Sequence, residues 1–470
     1  MIGETERDGL QLVTALHDVV QPAGLPVLPA FEVHGRFCVP DDAVEPGGSW
    51  FDVVVLPDDR LALVVGEVPG IGLSAAVTAA QMRGVIRAGL RRDGDAVDAL
   101  QLGDIHAEDV PDARGSTALI VLLDADRGIA AYASAGHPPP WLIPAEGPPV
   151  LLSDTGGGPL GTGSGTGYTR ATSSLAKGDG VLLAGSAVHR GTSTFDDPDR
   201  LVESLAAGLS SDQALSVVGA SLRTEPHRGL DVRLDAEVDP VRCARDQLGS
   251  WLAELGASPM DQMGVTHAAA ELVTNAFEHG ANGHGPWVEL RARLGSNGVA
   301  LVEVLDHGTW QVPVDDRTRG RGLAMAAGLV DHLGIALRPD GTRAFLQHRL
   351  LHAAPIEVVR ATARLDPDPA PVEVVHTAPH AVALRGAFGH DDVERVAAEL
   401  LVATRGGTVR LSLDLREVTN LSTSAVQLLT DLTSVNRAVG MYAADIEILS
   451  KSDSTVQRTL DSACIPHHAA

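Results

Sequence analysis

The sequence predicts a multidomain α/β protein, and three observations carry that prediction. Its 470 residues exceed what a single hydrophobic core serves well and suit two to four domains. Short apolar runs alternate with longer stretches of helical period, the pattern of sheet and helix layers. Two joints, one near residues 233–237 and a second across 352–371 with Pro355, Pro367, Pro369 and Pro371, divide the chain into three segments.

In the first segment, Leu61 to Val65 and Thr117 to Leu123 are short apolar runs bounded by charge and Gly and read as buried strands. Leu73 to Leu90 has the Ala-rich spacing of a helix, and Val181 to Leu183 reads as another strand. Pro138 to Pro140, Pro148, Pro149 and the glycines from Gly156 to Gly167 mark loops. The second segment opens on a helix from Pro240 to Leu255, with Pro in the first turn. A helix from Met260 to His279 follows, then strands at Trp287 to Leu294 and Val299 to Leu305, a helix near Leu323 to Leu333, and a closing strand at Phe345 to Leu350. Past the second joint, strands at Ala381 to Leu384 and Thr408 to Leu415 alternate with helices at Asp391 to Thr404 and Thr423 to Arg437.

Composition narrows the function. With 44% hydrophobic and 21% charged residues and a mean hydropathy of +0.08, the chain is globular rather than fibrous or unfolded. A formal net charge of -25 repels a phosphate backbone, and 3% aromatics leave few base-stacking platforms, so nucleic acid is not an expected partner. Cys38, Cys243 and Cys464 form neither a metal spacing nor a disulfide framework. Glu4, Glu6 and Asp8 stand where a signal peptide needs basic residues, and no apolar stretch is long enough to span a membrane. The expectation is a cytoplasmic protein.

The chemistry concentrates in the second segment. Glu271, Asn275 and Glu278 recur at spacings of four and three, so they share one helix face, opposite Leu272, Val273 and Ala276. A carboxylate beside a carboxamide suits magnesium held through oxygen, although the same spacing also describes a solvated helix face. Asp306-His307-Gly308 ends a strand, where an acceptor reaches into a pocket. Arg319-Gly320-Arg321-Gly322 then opens a helix, where glycines let backbone N–H groups approach phosphates and arginines add charge. ELVTNAFEHG (271–280), DHGTW (306–310), RGRGL (319–323) and GT (341–342) together resemble the motifs of the GHKL ATPase fold, a two-layer α/β sandwich, and among them the anti-sigma serine kinases of the RsbW type. The resemblance covers 237–350. It implies that Asn275 holds Mg²⁺, Asp306 reads the adenine amine, and Gly308, Arg319, Gly320, Arg321, Gly322 and Thr342 complete an ATP site. Glu271 matches the residue that activates the acceptor hydroxyl. Trp310 departs from the usual glycine.

Residues 10–233 resemble the SpoIIE-type metal-dependent phosphatases, through GGSWFD (47–52), VVGEVPGIG (64–72), GSTALIVLLD (115–124), AGHPPP (135–140) and GPLG (158–161). The implied fold is an α/β/β/α sandwich. At the positions where that family carries metal-binding Asp, this chain has Ser49, Glu67 and Ser186, and an Asp pair expected near the end falls at Arg228 and Gly229. A serine hydroxyl does not supply the charge that a two-metal site needs, so the expectation is a phosphatase-like module without phosphatase chemistry. His137 reads as structural.

Residues 373–467 resemble a STAS domain, the small α/β fold of anti-sigma-factor antagonists, through LDLREVTNLSTSAVQLL (413–429). Ser424 matches the usual phosphoacceptor, while Ser422 and Ala425 depart from the family's Asp and Gly. A hydroxyl at a helix start is equally an N-cap. The three resemblances together imply a partner-switching regulator of a sigma factor, whose kinase module phosphorylates a STAS antagonist, Ser424 in cis or a separate protein. A STAS protein, a sigma factor and a second copy of the chain are the implied partners. Two alternatives stay open: an ATP-responsive scaffold without catalysis, and a phosphatase with atypical metal ligands.

Overall fold

In the computed structural model, the described residues are 20–40, 46–163, 167–185, 214–236, 239–280, 287–307, 321–338, 341–359, 372–389, 392–405, 409–421, 423–433, 446–452, 454–462 and 465–469. They form three units, each with its own apolar core.

The first unit stacks two sheets. One has five strands, in the order Gly47–Val55, Leu61–Ile71, Thr117–Asp124, Ile129–Ala135 and Ala171–Ser174. The other is built around Leu215–Leu222, paired antiparallel to Phe31–Pro40 and to Gly180–Ala184. The apolar runs are explained by burial on both faces. Leu61, Leu63 and Val65 fill the space between the sheets, while Ala62 and Val64 pack under the helices Leu73–Asp93 and Ala96–Asp109. Each such Leu or Val contributes about 1.5–3 kcal/mol of burial. Two helices therefore cover one face, giving α/β/β; a second helical layer is not among the described residues.

The second unit is a two-layer sandwich. Its antiparallel sheet runs in the order Leu230–Asp235, Trp287–Leu294, Val299–Asp306, Gly341–Arg349 and His332–Arg338. Helices Pro240–Glu254, Pro259–Gly280 and Arg321–Ala327 share the core below it. Asp239 caps the first of these by accepting from the Arg242 amide, with Pro240 next in line. Three expected bounds differ, one of them the closing strand, which starts at Gly341 rather than Phe345. The sheet begins at Leu230, within the segment read as the first module, because Leu230–Asp235 pairs along its length with Trp287–Leu294. The helix expected to reach Leu333 ends at Ala327, and His332–Arg338 is instead an edge strand.

The stretch read as a Pro-rich linker over 352–371 starts as structure. Leu351–His352 pairs with Leu25–Pro26, and Ile356–Val359 joins the first unit's sheet, parallel to Phe37–Pro40. Pro355 does not prevent this, because its carbonyl accepts from the Phe37 amide and its missing N–H is not needed. The remainder, 360–371, lies outside the described residues.

The third unit has a five-stranded sheet, Glu373–Ala378, Ala381–Phe388, Leu411–Leu421, Ile446–Ser450 and His468–Ala469 in that order, antiparallel at the first pair and parallel thereafter. Helices Val393–Ala403, Thr423–Thr433 and Thr455–Ser462 supply the apolar residues that pack on it.

Candidate nucleotide site and a hydroxyl-filled sheet end

The Pro259–Gly280 helix buries Leu272, Val273 and Ala276 against the sheet, which turns Glu271 and Asn275 to the half-buried side. One helical turn apart, the two meet: the Asn275 amide donates to the Glu271 carbonyl at 2.7 Å and to its carboxylate at 3.3 Å. With its N–H₂ committed there, the carboxamide presents its oxygen as the remaining ligand atom. Glu278 is exposed one turn further on.

The opening of the Arg321–Ala327 helix comes down on this pair. A Cβ placed on Gly322 would lie 1.8 Å from the Glu271 carboxylate oxygen, so only glycine lets the backbone approach that closely. At the other end of the site, Asp306 closes its strand opposite Thr342 and its carboxylate accepts from the Thr342 amide at 3.2 Å. Gly341, at φ +145°, is indispensable here, since a Cβ would stand 1.9 Å from the Asp306 carbonyl oxygen. Thr342 is buried.

The structure thus gathers Glu271, Asn275 and Gly322 into one cluster and Asp306 with Thr342 into another, joined by the helix that packs across both strands. Gly308, Arg319 and Gly320 lie outside the described residues, as does the side chain of Arg321. Beside Asp306 sits a stack that the motifs do not announce. The His307 ring lies 4.5 Å from Trp287, which carries the Arg233 guanidinium at 4.4 Å. No local pattern in the sequence reports it, because it forms only when Leu230–Asp235 pairs with Trp287–Leu294.

The corresponding end of the first unit is closed by hydroxyls. Ser49 is buried between the two sheets, and its hydroxyl bonds the Ser216 hydroxyl at 3.0 Å while accepting from the Ser216 amide at 3.2 Å. Glu67 stands opposite Ser49 in the neighbouring strand and is half-buried. Asp52 does not join them. Three residues along the strand from Ser49, it faces the helix layer, where Arg87 clasps both carboxylate oxygens at 2.7 and 2.8 Å and Arg83 stands at 3.8 Å. Burial pushes the Asp52 carboxyl up, and Arg87 opposes that shift.

A pair of neutral hydroxyls that satisfy each other does not fit the charge of two divalent ions. Among the described residues no group of three or more His, Cys, Asp or Glu could hold a metal. Ser186 lies outside the described residues. Arg228 and Gly229, where an Asp pair was expected, are not near Ser49: the Arg228 carbonyl accepts from the Trp251 indole of the second unit. Ser216 is the residue that actually reaches Ser49, and it was not singled out in the sequence. His137 is structural. It is buried, with one ring nitrogen 2.9 Å from the Thr117 hydroxyl and the other 3.1 Å from the Ala184 carbonyl.

Comparison with known proteins agrees with this division. Residues 57–223 match the family model for stage II sporulation protein E, and residues 234–347 match that for the histidine kinase-like ATPase domain. The crystal structure of the RsbU and RsbW domains of Rv1364c from Mycobacterium tuberculosis is similar over 73% of this chain and 99% of its own, at 30% identity and a TM-score of 0.62. Protein IcfG from Synechocystis is 26% identical over 223 residues, which is 40% of this chain and 34% of IcfG. No helix among the described residues is long and apolar enough to cross a membrane. A SpoIIE-like sandwich followed by an antiparallel-sheet ATPase unit, at this identity and coverage, places the chain in the family of tandem RsbU-like and RsbW-like regulatory proteins.

Proposed function

We propose that this chain is an ATP-dependent partner-switching regulator of sigma-factor activity, in which the second unit is a serine kinase acting on a STAS antagonist. The observation that carries this reading is the convergence of Glu271, Asn275 and Gly322 at one end of the site, with Asp306 and Thr342 at the other.

The Asp306 carboxylate, held by the Thr342 amide, accepts from the adenine amine and fixes the base. The glycine-flanked helix start at Gly322 offers backbone N–H groups and a favourable dipole to the phosphates. Mg²⁺ bound with ATP would be held by the Asn275 oxygen and supplies charge neutralisation on the leaving diphosphate. Glu271 takes the proton of the acceptor hydroxyl as its oxygen bonds the γ-phosphorus. The bond from that phosphorus to the β–γ bridging oxygen breaks, and ADP departs. The third unit is read as a STAS domain: its Thr423–Thr433 helix begins directly after a buried strand, as that family requires, with Ser424 in the first turn. The bonded Ser49–Ser216 pair supports reading the first unit as a fold that no longer hydrolyses phosphoserine.

Two measurements test this reading. Full-length protein with γ-labelled ATP and Mg²⁺ should label Ser424 or a separate STAS protein; binding of ATP without any label would leave only the scaffold reading. Phosphorylated STAS protein incubated with the chain and Mn²⁺ should release no more phosphate than a metal-free control. Metal-dependent turnover would show that the hydroxyl-filled end still catalyses.

A further inference from the structure

Two independent features bring the third unit to the first. The strand Ile356–Val359, from which the chain leaves toward the third unit, ends with Val359 opposite Pro40. Val359 packs there against the small cluster formed by Cys38, Ala184, Leu215 and Val217. Leu215 precedes Ser216, and Gly185, next to Ala184, lies so close to Ser49 that a Cβ on it would be 3.4 Å from that hydroxyl. The chain is therefore delivered to the sheet end closed by Ser49 and Ser216. Separately, the Thr423–Thr433 helix of the third unit approaches the strand Leu61–Ile71 within 8 Å between Cα atoms. That strand carries Glu67 opposite Ser49 and Ile71 opposite Gly47.

We propose that this end of the SpoIIE-like unit is a docking surface, and that its occupant is the third unit of the same chain, seated through the Thr423–Thr433 helix. The fold keeps a place where a phosphoprotein would meet it, while the hydroxyl pair removes the means to hydrolyse. What remains is recognition. The docked unit stands in cis against the first unit, with its helix engaged there rather than offered to the kinase site. The parallel strand Ile356–Val359 shortens the chain that has to be closed between the two, which lowers the entropy cost of docking.

The test is photo-crosslinking of the full-length chain, with benzoyl-phenylalanine in place of Ile71 and, in a second variant, of the exposed Leu73 two residues on. A control carries the probe in place of Val150, an exposed residue on the far edge strand of the six-stranded sheet. Capture of a peptide within 423–433 in a product of monomer size, with at least about tenfold the yield of the control, is the expected result. The fold-change follows from contact held in one conformation against chance encounter at a tethered concentration. Capture only in dimer-sized product, or no capture of 423–433 from either position, overturns the proposal. No phosphoryl transfer enters the readout, so a chain without kinase activity that still crosslinks leaves docking intact, and the reverse result leaves the kinase.

Discussion

The first and second units each end a sheet in polar side chains, and the two ends differ in what those side chains bond. In the first, Ser49 and Ser216 satisfy one another, and the buried carboxylate of the same strand, Asp52, is turned away and paired with Arg87. In the second, Asp306 accepts from the Thr342 backbone amide, and Asn275 spends its N–H₂ on Glu271 while keeping its oxygen. A polar end that closes on itself stabilises a fold; one that keeps a carboxamide oxygen uncommitted can bind. Residue type alone does not separate these cases, and strand parity and hydrogen-bond direction do.

Substitutions can break or sharpen this contrast. The largest effect is expected from Glu271→Gln, which removes the proton acceptor while keeping shape. Phosphoryl transfer should fall by roughly 10²–10⁴-fold with ATP binding retained, as read by labelled transfer alongside calorimetry. Equal loss of binding would make Glu271 part of the pocket rather than a base. Next is Arg87→Ala, which strands the buried Asp52 charge. Arg87 is partly exposed and Arg83 stands by, so the cost is about 3 kcal/mol, the low end for a broken buried pair, measured by urea unfolding. Because burial raises the Asp52 carboxyl above its unfolded value, the folded state holds that proton more tightly. The deficit of the variant should therefore shrink as pH falls and the carboxyl protonates, and should grow as pH rises. A deficit independent of pH would mean that lost packing, not charge, is responsible.

A smaller effect is expected at the base-reading end. Asp306→Asn substitutes a donor-bearing amide for an acceptor and should weaken ATP by about 1.5–3 kcal/mol, roughly ten- to 150-fold, by calorimetry on the full chain. An unchanged Kd would remove Asp306 from the pocket. The mildest test compares thiols in a Cys464→Ser background. Cys38 packs with Ala184 and Leu215 beside the closed sheet end, and burial pushes its thiol up to about 11, whereas Cys243 is partly exposed. Alkylation at pH 8 should modify Cys38 at least about a hundredfold more slowly than an ordinary thiol, while Cys243 reacts. Rapid loss of both would show that the hydroxyl-filled end opens readily.

Much of this was legible before any coordinates. Trp287–Leu294 has the bounds its alternation predicts, and the i, i+4 spacing of Glu271 and Asn275 does bring them into contact. The orientation of Asp52 was also readable, since an odd separation from Ser49 puts the two on opposite faces of a strand. Other features were not. Leu215–Leu222 mixes Ser216, Gly219 and Ser221 among its apolar residues, which blurs its pattern, although it is the strand on which the six-stranded sheet is centred. The Ser49–Ser216 bond spans 167 positions, a distance over which no local pattern reports. Ile356–Val359 becomes a strand only because Phe37–Pro40 offers it an edge, so a reading of the stretch by its prolines saw a linker.

The second unit is attached to the first at both of its ends. It leaves through Leu230–Asp235 and returns where Leu350 accepts from the Val27 amide and Leu351–His352 pairs with Leu25–Pro26. A body hung from a single tether can swivel; one fastened at two separated points resists torsion. Any rearrangement at Gly322 that alters the shape of the sheet must therefore twist both fastenings together, and the force appears in the strands of the neighbouring unit. A single backbone cut between Asp235 and Asp239 should for the same reason leave the two pieces travelling as one particle through a sizing column, because the second fastening still holds.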